Sequence, residues 1–267
     1  MQITPVHNEI PIEIENDAIL DIRVASVTSY THGFHKYPAK FIPQIPGWAI
    51  KRYLGDAKGK LVIDPFSGSG TTLVESAISG HSSIGIDIDP LSVLIAKVKT
   101  TPLNIPLLNQ VTTWFKATLL VFNGPLFTPE CTTLAHWFPS ESIVSLSKIR
   151  SVIELIPDSF GSSEEIKDIY DFLILCFSSI IRRVSFADNE SQKTYVSHTH
   201  VKQPEAILPV FESQLEYYVN RITQYSQLAN LGTAKVFKAS SSEPITAMMG
   251  EQKADLAVHS RRNDPLP

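Results

Sequence analysis

The sequence predicts an α/β fold built on an open parallel sheet of about four strands, with a helical subdomain inserted into it. Three observations lead there. Short apolar runs without alternation, the pattern of strands buried on both faces, stand at 61–64 and 83–87. A glycine-containing turn and a helical spacing of apolar residues separate them, making a strand–turn–helix–strand unit. Between about 103 and 230 helical periodicity dominates, over a stretch longer than any ordinary connection, before strand-like runs return at 235–239 and 255–259.

Composition permits this fold and excludes several others. At 43% hydrophobic and 19% charged, the 267 residues can close a core and are not a disordered chain. The net charge of −4 neither supports nor excludes a nucleic-acid partner, because basic groups can cluster on an acidic protein. Cys131 and Cys176 are too far apart for a zinc ribbon or a disulfide framework, which agrees with a reducing cytoplasm. No stretch approaches the roughly 18 apolar residues of a bilayer span, so no membrane partner is expected. The acidic N-terminal stretch has no apolar run of the kind a secretory signal carries.

In chain order, residues 1–30 read as a polar lead-in with one alternating piece, Ile10, Ile12 and Ile14. Residues 31–102 hold the strand–helix–strand part. An aromatic and basic segment there runs into a helix at about 45–54, ahead of the first strand. A helix over 73–79 ends at Gly80, and another runs from about Leu91 to Lys99 with Pro90 at its first position. Residues 103–230 form the insert, with helices over 142–156, 168–184 and 205–229, the second containing the apolar run Phe172–Ile181. Residues 231–267 return the chain to the sheet.

The most informative string is Asp64-Pro65-Phe66-Ser67-Gly68-Ser69-Gly70-Thr71-Thr72. Gly68 and Gly70 stand where a strand turns into a helix, and without Cβ atoms they admit close approach of a ligand and positive φ. The helix start adds free N–H groups and positive partial charge. Asp87 ends the second strand, followed by Ile88; a carboxylate there can accept both hydroxyls of a ribose. A simple turn with Asp87 as a helix cap is the plainer alternative.

The full string, followed by GIDIDP, resembles motif I of the DNA amino-methyltransferases, which methylate cytosine N4 or adenine N6. The resemblance implies a Rossmann-like methyltransferase sheet and S-adenosyl-L-methionine as cofactor. It is specific in 32–43, 64–99 and 181–202. The segment His35-Lys36-Tyr37-Pro38-Ala39-Lys40-Phe41 resembles the one that packs over the methionine end of the cofactor. Tyr37 and Phe41 offer apolar walls there, Pro38 shapes the turn, and either Lys36 or Lys40 can meet the cofactor carboxylate or a DNA phosphate. A segment in the insert, with Arg182, Arg183, Lys193, Tyr195, His198 and Lys202, resembles one expected near double-stranded DNA, where such side chains are the usual phosphate partners. A polar loop capping the insert is the alternative. A cognate restriction endonuclease is the further partner that the resemblance implies.

These enzymes carry a second signature, (D/S/N)-P-P-(Y/F), after a later strand. The target base is flipped out, the aromatic ring stacks on it, and polar groups orient its amine toward the sulfonium methyl. Here Ala254–Val258 approaches as expected and Ser260 matches the first position, leaning toward cytosine N4. Arg261 and Arg262 then stand where two prolines are expected. Either they form a local variant contacting phosphate, or the reading is interrupted there; the second is preferred. The expectation is therefore a truncated, inactive form with an unpaired sheet edge and an uncovered face. An RNA base methyltransferase and a non-catalytic cofactor-binding fragment are the alternatives.

The third sheet strand, AKVFKASSSEP, lacks the acidic residue that often touches the adenine ring, leaving Ser240 or Ser241 as substitutes. No metal site is expected: His32 with His35, or His198 with His200, lacks a completing cysteine or carboxylate cluster. Cys131 and His136 read as packing within the insert.

Overall fold

The structure, a computed structural model, describes residues 3–7, 9–15, 19–23, 27–38, 40–188, 194–197, 202–241, 243, 248 and 252–259. The chain divides into two compact units, one formed by Met1–Thr101 with Gln227–Pro267 and the other by Pro102–Ser226.

The first unit opens with two short strands, β1 (Ile3–His7) and β2 (Ile19–Arg23), paired in parallel. Helix α1 (Gln44–Leu54) follows, then β3 (Leu61–Asp64), α2 (Thr71–Ile78), β4 (Ser82–Asp87) and α3 (Pro90–Thr100). The chain re-enters this unit as β5 (Ala234–Lys238) and β6 (Leu256–Ala257). The sheet order is β5-β4-β3-β6 with every pair parallel, a Rossmann-like arrangement in which β3 and β4 lie at the centre.

Each central element has a local reason. β3 buries Val62, Ile63 and Asp64, so both of its faces are covered, as the unbroken apolar run required. Val62 packs with Ala49 and Ile50 of α1 and with Val258 just after β6. Leu73, Val74 and Ala77 of α2 are fully buried, and Gly80 ends that helix at φ 79°, the left-handed cap a side chain would resist. β4 runs so close to α2 that a Cβ on Gly85 would stand 2.5 Å from Leu73 Cδ1. Asp89 caps α3 by accepting the Leu91 N–H at 3.0 Å, with Pro90 in the first turn as its sequence position predicts.

The second unit is helical: α4 (Ile105–Val121), α5 (Leu134–Trp137), α6 (Ser140–Glu154), α7 (Ile156–Phe160), α8 (Glu164–Ile180) and α9 (Ile207–Ser226). Its core joins Phe115 to Phe211 at 5.7 Å between ring centroids, and Phe172 to Tyr218 at 5.6 Å. Ser163 caps α8 through the Ile166 N–H, with Glu164 and Glu165 in the first turn, so the helix begins earlier than apolar spacing alone predicts.

Several expectations need correction. The lead-in contains the β1–β2 pair, while Ile10, Ile12 and Ile14 belong to no strand. That stretch is held against α1 instead: Trp48 Nε1 donates to the Pro11 carbonyl at 2.7 Å, and Arg52 pairs with Glu13 at 2.9 Å. The sheet face expected to be bare is closed at its centre, since Ile63, Ile84 and Ile86 are buried with Phe237, Ala239 and Met248 against them. Cys131 and His136 are exposed rather than packed.

Candidate functional site

The string from Asp64 to Thr72 leaves β3 and enters α2 at the C-terminal edge of the sheet. Four hydrogen bonds set its shape. The Phe66 N–H donates to Asp64 Oδ1 at 3.1 Å, and the Ser67 N–H to the Ile86 carbonyl at 3.0 Å. The Gly70 N–H donates to the Ser67 carbonyl at 2.7 Å, and the Gly68 N–H to Asp87 Oδ2 at 2.9 Å. Gly68 and Gly70 adopt φ 49° and 73°, which only glycine takes without strain. The two glycines have different neighbours. A Cβ on Gly68 would come within 3.2 Å of the Tyr37 ring, whereas one on Gly70 would stand 2.8 Å from Ala96 Cβ, so Gly70 serves the packing of α2 on α3.

Asp87 is the hinge of this arrangement. Its Oδ1 accepts the Asp89 N–H at 2.9 Å while Oδ2 holds Gly68. Each carboxylate oxygen keeps further lone-pair capacity, so Asp87 can still accept from a ligand. Ile88 beside it is 72% exposed and Phe66 49%, an apolar rim unusual at the mouth of a polar loop. Tyr37 closes the opposite side; its hydroxyl lies 2.9 Å from Ser92 Oγ, which in turn lies 3.0 Å from Asp89 Oδ2.

One cleft brings together Tyr37, Lys40, Phe41, Asp64, Phe66, Ser67, Gly68, Ser69, Thr71 and Thr72. Of the two lysines left open by the sequence, Lys40 lines it. Lys36 and Pro38 are exposed and Pro65 is half-buried; none of the three lines the cleft. Beyond β5, the Ser240 N–H donates to Glu243 Oε1 at 3.0 Å, and the Ala239 N–H to the Asp87 carbonyl at 3.1 Å. The acidic side chain of Glu243 thus folds back onto the end of β5.

Electrostatics set this loop apart from an ordinary turn. Burial lifts the Asp64 carboxyl to about 6, against the pull of the Thr72 hydroxyl and the Phe66 N–H. A cation brought to Asp64 would return it to the ionised form. Behind the loop lies a cluster that sequence reasoning missed. Lys99 is 1% exposed and donates to the Ser69 carbonyl at 2.7 Å, and burial brings its ammonium down to about 7. His32 Nε2 meets Glu75 Oε1 at 2.7 Å, and Lys40 Nζ donates to the His32 carbonyl at 3.1 Å. Lys99 reads from sequence as one more lysine at a helix end; only its i, i+3 spacing from Ala96 hints that it shares the buried face. His32 therefore pairs with a carboxylate, and His35 Nδ1 lies 2.9 Å from the Lys36 carbonyl rather than beside His32.

In the second unit the basic residues are tied to the protein. Arg183 makes a two-pronged pair with Glu205 at 3.1 and 2.8 Å. Arg182 Nε donates to the Asp188 carbonyl at 2.6 Å, and Lys202 Nζ to the Ala187 carbonyl at 3.1 Å. Tyr195 is 46% exposed, and its carbonyl accepts the Asp188 N–H at 3.0 Å. Lys193 and His198, like Ser260, lie outside the described residues.

Three features of these residues bear on a ligand. The missing Cβ of Gly68 lets the Tyr37 ring pack directly over the loop, Ser69 Oγ is buried without a hydrogen-bond partner, and Asp87 stands next to an exposed apolar rim. Residues 15–98 match the family model described as DNA methylase. The Type II methyltransferase M.MvaI of Kocuria varians is 29% identical over 231 residues, which cover 82% of this chain and 49% of that protein. The Type II methyltransferase M.MjaII of Methanocaldococcus jannaschii is 46% identical over 84 residues, 32% of this chain and 16% of that protein. The chain thus spans at most about half the length of these relatives. With a Rossmann-like sheet, a glycine loop locked to an acidic strand end and this match over residues 15–98, the chain is similar to the DNA methylases across that stretch.

Proposed function

We propose that the chain supplies the cofactor-binding part of a site-specific DNA methyltransferase acting on an exocyclic base amine, with cytosine N4 favoured over adenine N6. The observation that carries this reading is the lock between Gly68 and Asp87, which ties the glycine loop lining the cleft to the carboxylate at the end of β4. S-adenosylmethionine, when bound, supplies a methyl group on a sulfonium for transfer to a nitrogen lone pair.

The protein's own residues bind and orient. Asp87 accepts the ribose hydroxyls, and Ile88 and Phe66 flank the adenine ring with apolar surface. Asp64 pairs with the α-ammonium of the methionine part, and the first turn of α2 offers its amides to the carboxylate. Tyr37 and Phe41 exclude water from that end. Ser240 and Glu243, at the end of β5, are candidates for the adenine edge. The helical unit Pro102–Ser226 is the proposed DNA-recognition part, with Tyr195 the most exposed of its described candidates.

Ser260 supports the cytosine preference, since it matches the first residue of an S-P-P-Y signature. Arg261 and Arg262 lack the stacking surface that such a signature presents to a flipped base. This chain by itself is therefore proposed to bind cofactor without transferring the methyl group.

The test is a labelled-methyl transfer assay on mixed-sequence duplex DNA, with digestion to nucleosides, beside a cofactor titration. Binding without label in DNA supports the whole reading. Label recovered as N4-methylcytosine keeps the base assignment and overturns the inactivity; label as N6-methyladenine overturns the base assignment.

A further inference from the structure

The cofactor loop rests on a buried charge that no part of the reaction described above uses. Ala96 and Lys99 lie one turn apart on the face of α3 that meets the loop. Ala96 is the residue against which Gly70 packs, and Lys99 reaches the carbonyl of the residue before it, Ser69, at 2.7 Å. Lys99 is one of the largest fully buried side chains of the protein. An ammonium in that position costs stability unless it is matched, and an apolar side chain of equal length would fill the same space.

The charges around it come from α2 and from the segment before α1. Glu75 of α2 favours the ammonium and Lys40 opposes it; Glu75 also holds His32 at 2.7 Å. The Lys99 carbonyl itself accepts the Thr31 hydroxyl at 2.8 Å, so the end of α3 is pinned from the segment that carries Tyr37 and Lys40. Burial brings the ammonium to about 7, and both charge states keep an N–H for the Ser69 carbonyl.

We infer that Lys99 is a positioning residue for the cofactor: by holding the Ser69 carbonyl it turns the Ser69–Gly70 peptide so that the amides at the start of α2 face the methionine carboxylate. This rests on the proposed cofactor reading. The N–H of the same peptide donates to the Ser67 carbonyl at 2.7 Å, so Lys99 and Ser67 clamp it from both sides and fix the start of α2, whose Thr71 and Thr72 line the cleft. The effect falls on the amino-acid end of the ligand, because Asp87, the residue proposed for the ribose, stands on β4 rather than on the Ser69–Gly70 peptide.

The experiment compares two probes on the full chain: S-adenosylhomocysteine, which carries the amino-acid end, and 5′-methylthioadenosine, which lacks it. Lys99→Met is expected to weaken the first about tenfold or more while leaving the second near wild type. Equal weakening of both, or none of either, overturns the inference, because a role limited to general fold support cannot separate the two probes. Wild-type protein that binds neither probe overturns the cofactor reading, and this inference with it. Thermal unfolding shows whether Lys99→Met is folded; if it is not, Lys99→Gln, a neutral donor on a shorter stem, is read by the same ratio of affinities.

Discussion

The amide of Gly68 donates to Asp87 Oδ2 at 2.9 Å, joining the turn after β3 to the end of β4. One carboxylate thereby shapes the loop and, in the proposed site, also faces the ligand. The structural and binding roles of Asp87 can be separated by substitution.

Asp87→Ala removes both roles, and Asp87→Asn keeps an acceptor for Gly68 while losing the charge. Calorimetry with S-adenosylhomocysteine should show Asp87→Ala weaker than wild type by about 1–3 kcal/mol. Asp87→Asn should fall between the two. Equal affinities for all three would remove Asp87 from the site.

Gly68→Ala strains a backbone at φ 49° and sets a methyl group 3.2 Å from the Tyr37 ring. A loss of about 1–2 kcal/mol in stability follows from the backbone alone. The affinity loss should be larger, because Tyr37 must move from the cleft wall. Chemical denaturation and ligand titration measure the two separately.

Asp64 gives a pH dependence with a definite sign. Its folded carboxyl sits at about 6, above the ordinary 3.8, so its contribution to stability is full below about 3.8 and is lost as pH rises through 6. Binding of a cationic ammonium requires the ionised form. Affinity for S-adenosylhomocysteine should therefore decline as pH drops below about 6, and Asp64→Asn should flatten that decline. A titration series from pH 5 to 8 in wild type and variant checks it.

The two thiols should differ sharply. Cys131 is exposed, and its hydrogen bond with Thr133 lowers its pKa; Cys176 is buried, and burial pushes its thiol up. A thiol reagent should modify one cysteine in the native protein and two after denaturation. Peptide mapping should place the first adduct on Cys131.

Much of the fold was legible because parallel strands buried on both faces leave unbroken apolar runs, as at Leu61–Asp64. Pro90 and Gly80 marked a helix start and a helix end through backbone preferences that tertiary context rarely overrides. The β1–β2 pair was not legible, since a strand pair of five residues each carries little periodicity, and the alternation nearby belongs to a segment held by side chains of α1. At the site, the loop and Asp87 announce themselves by residue type and spacing. Lys99, Glu75 and His32 do not. Their meaning comes from burial and from partners distant in sequence, such as Ser69 30 residues before Lys99. Glu243 was missed for a related reason: it reaches the strand end only because the chain turns back on itself there.

The central claim, that this chain holds S-adenosylmethionine between the Asp64–Thr72 loop and Asp87, is tested most directly by isothermal titration of the full chain with that cofactor. Saturable binding, displaced by S-adenosylhomocysteine and weakened in Asp87→Ala, is the predicted result. A chain that shows a cooperative unfolding transition and yet takes up no cofactor would contradict it.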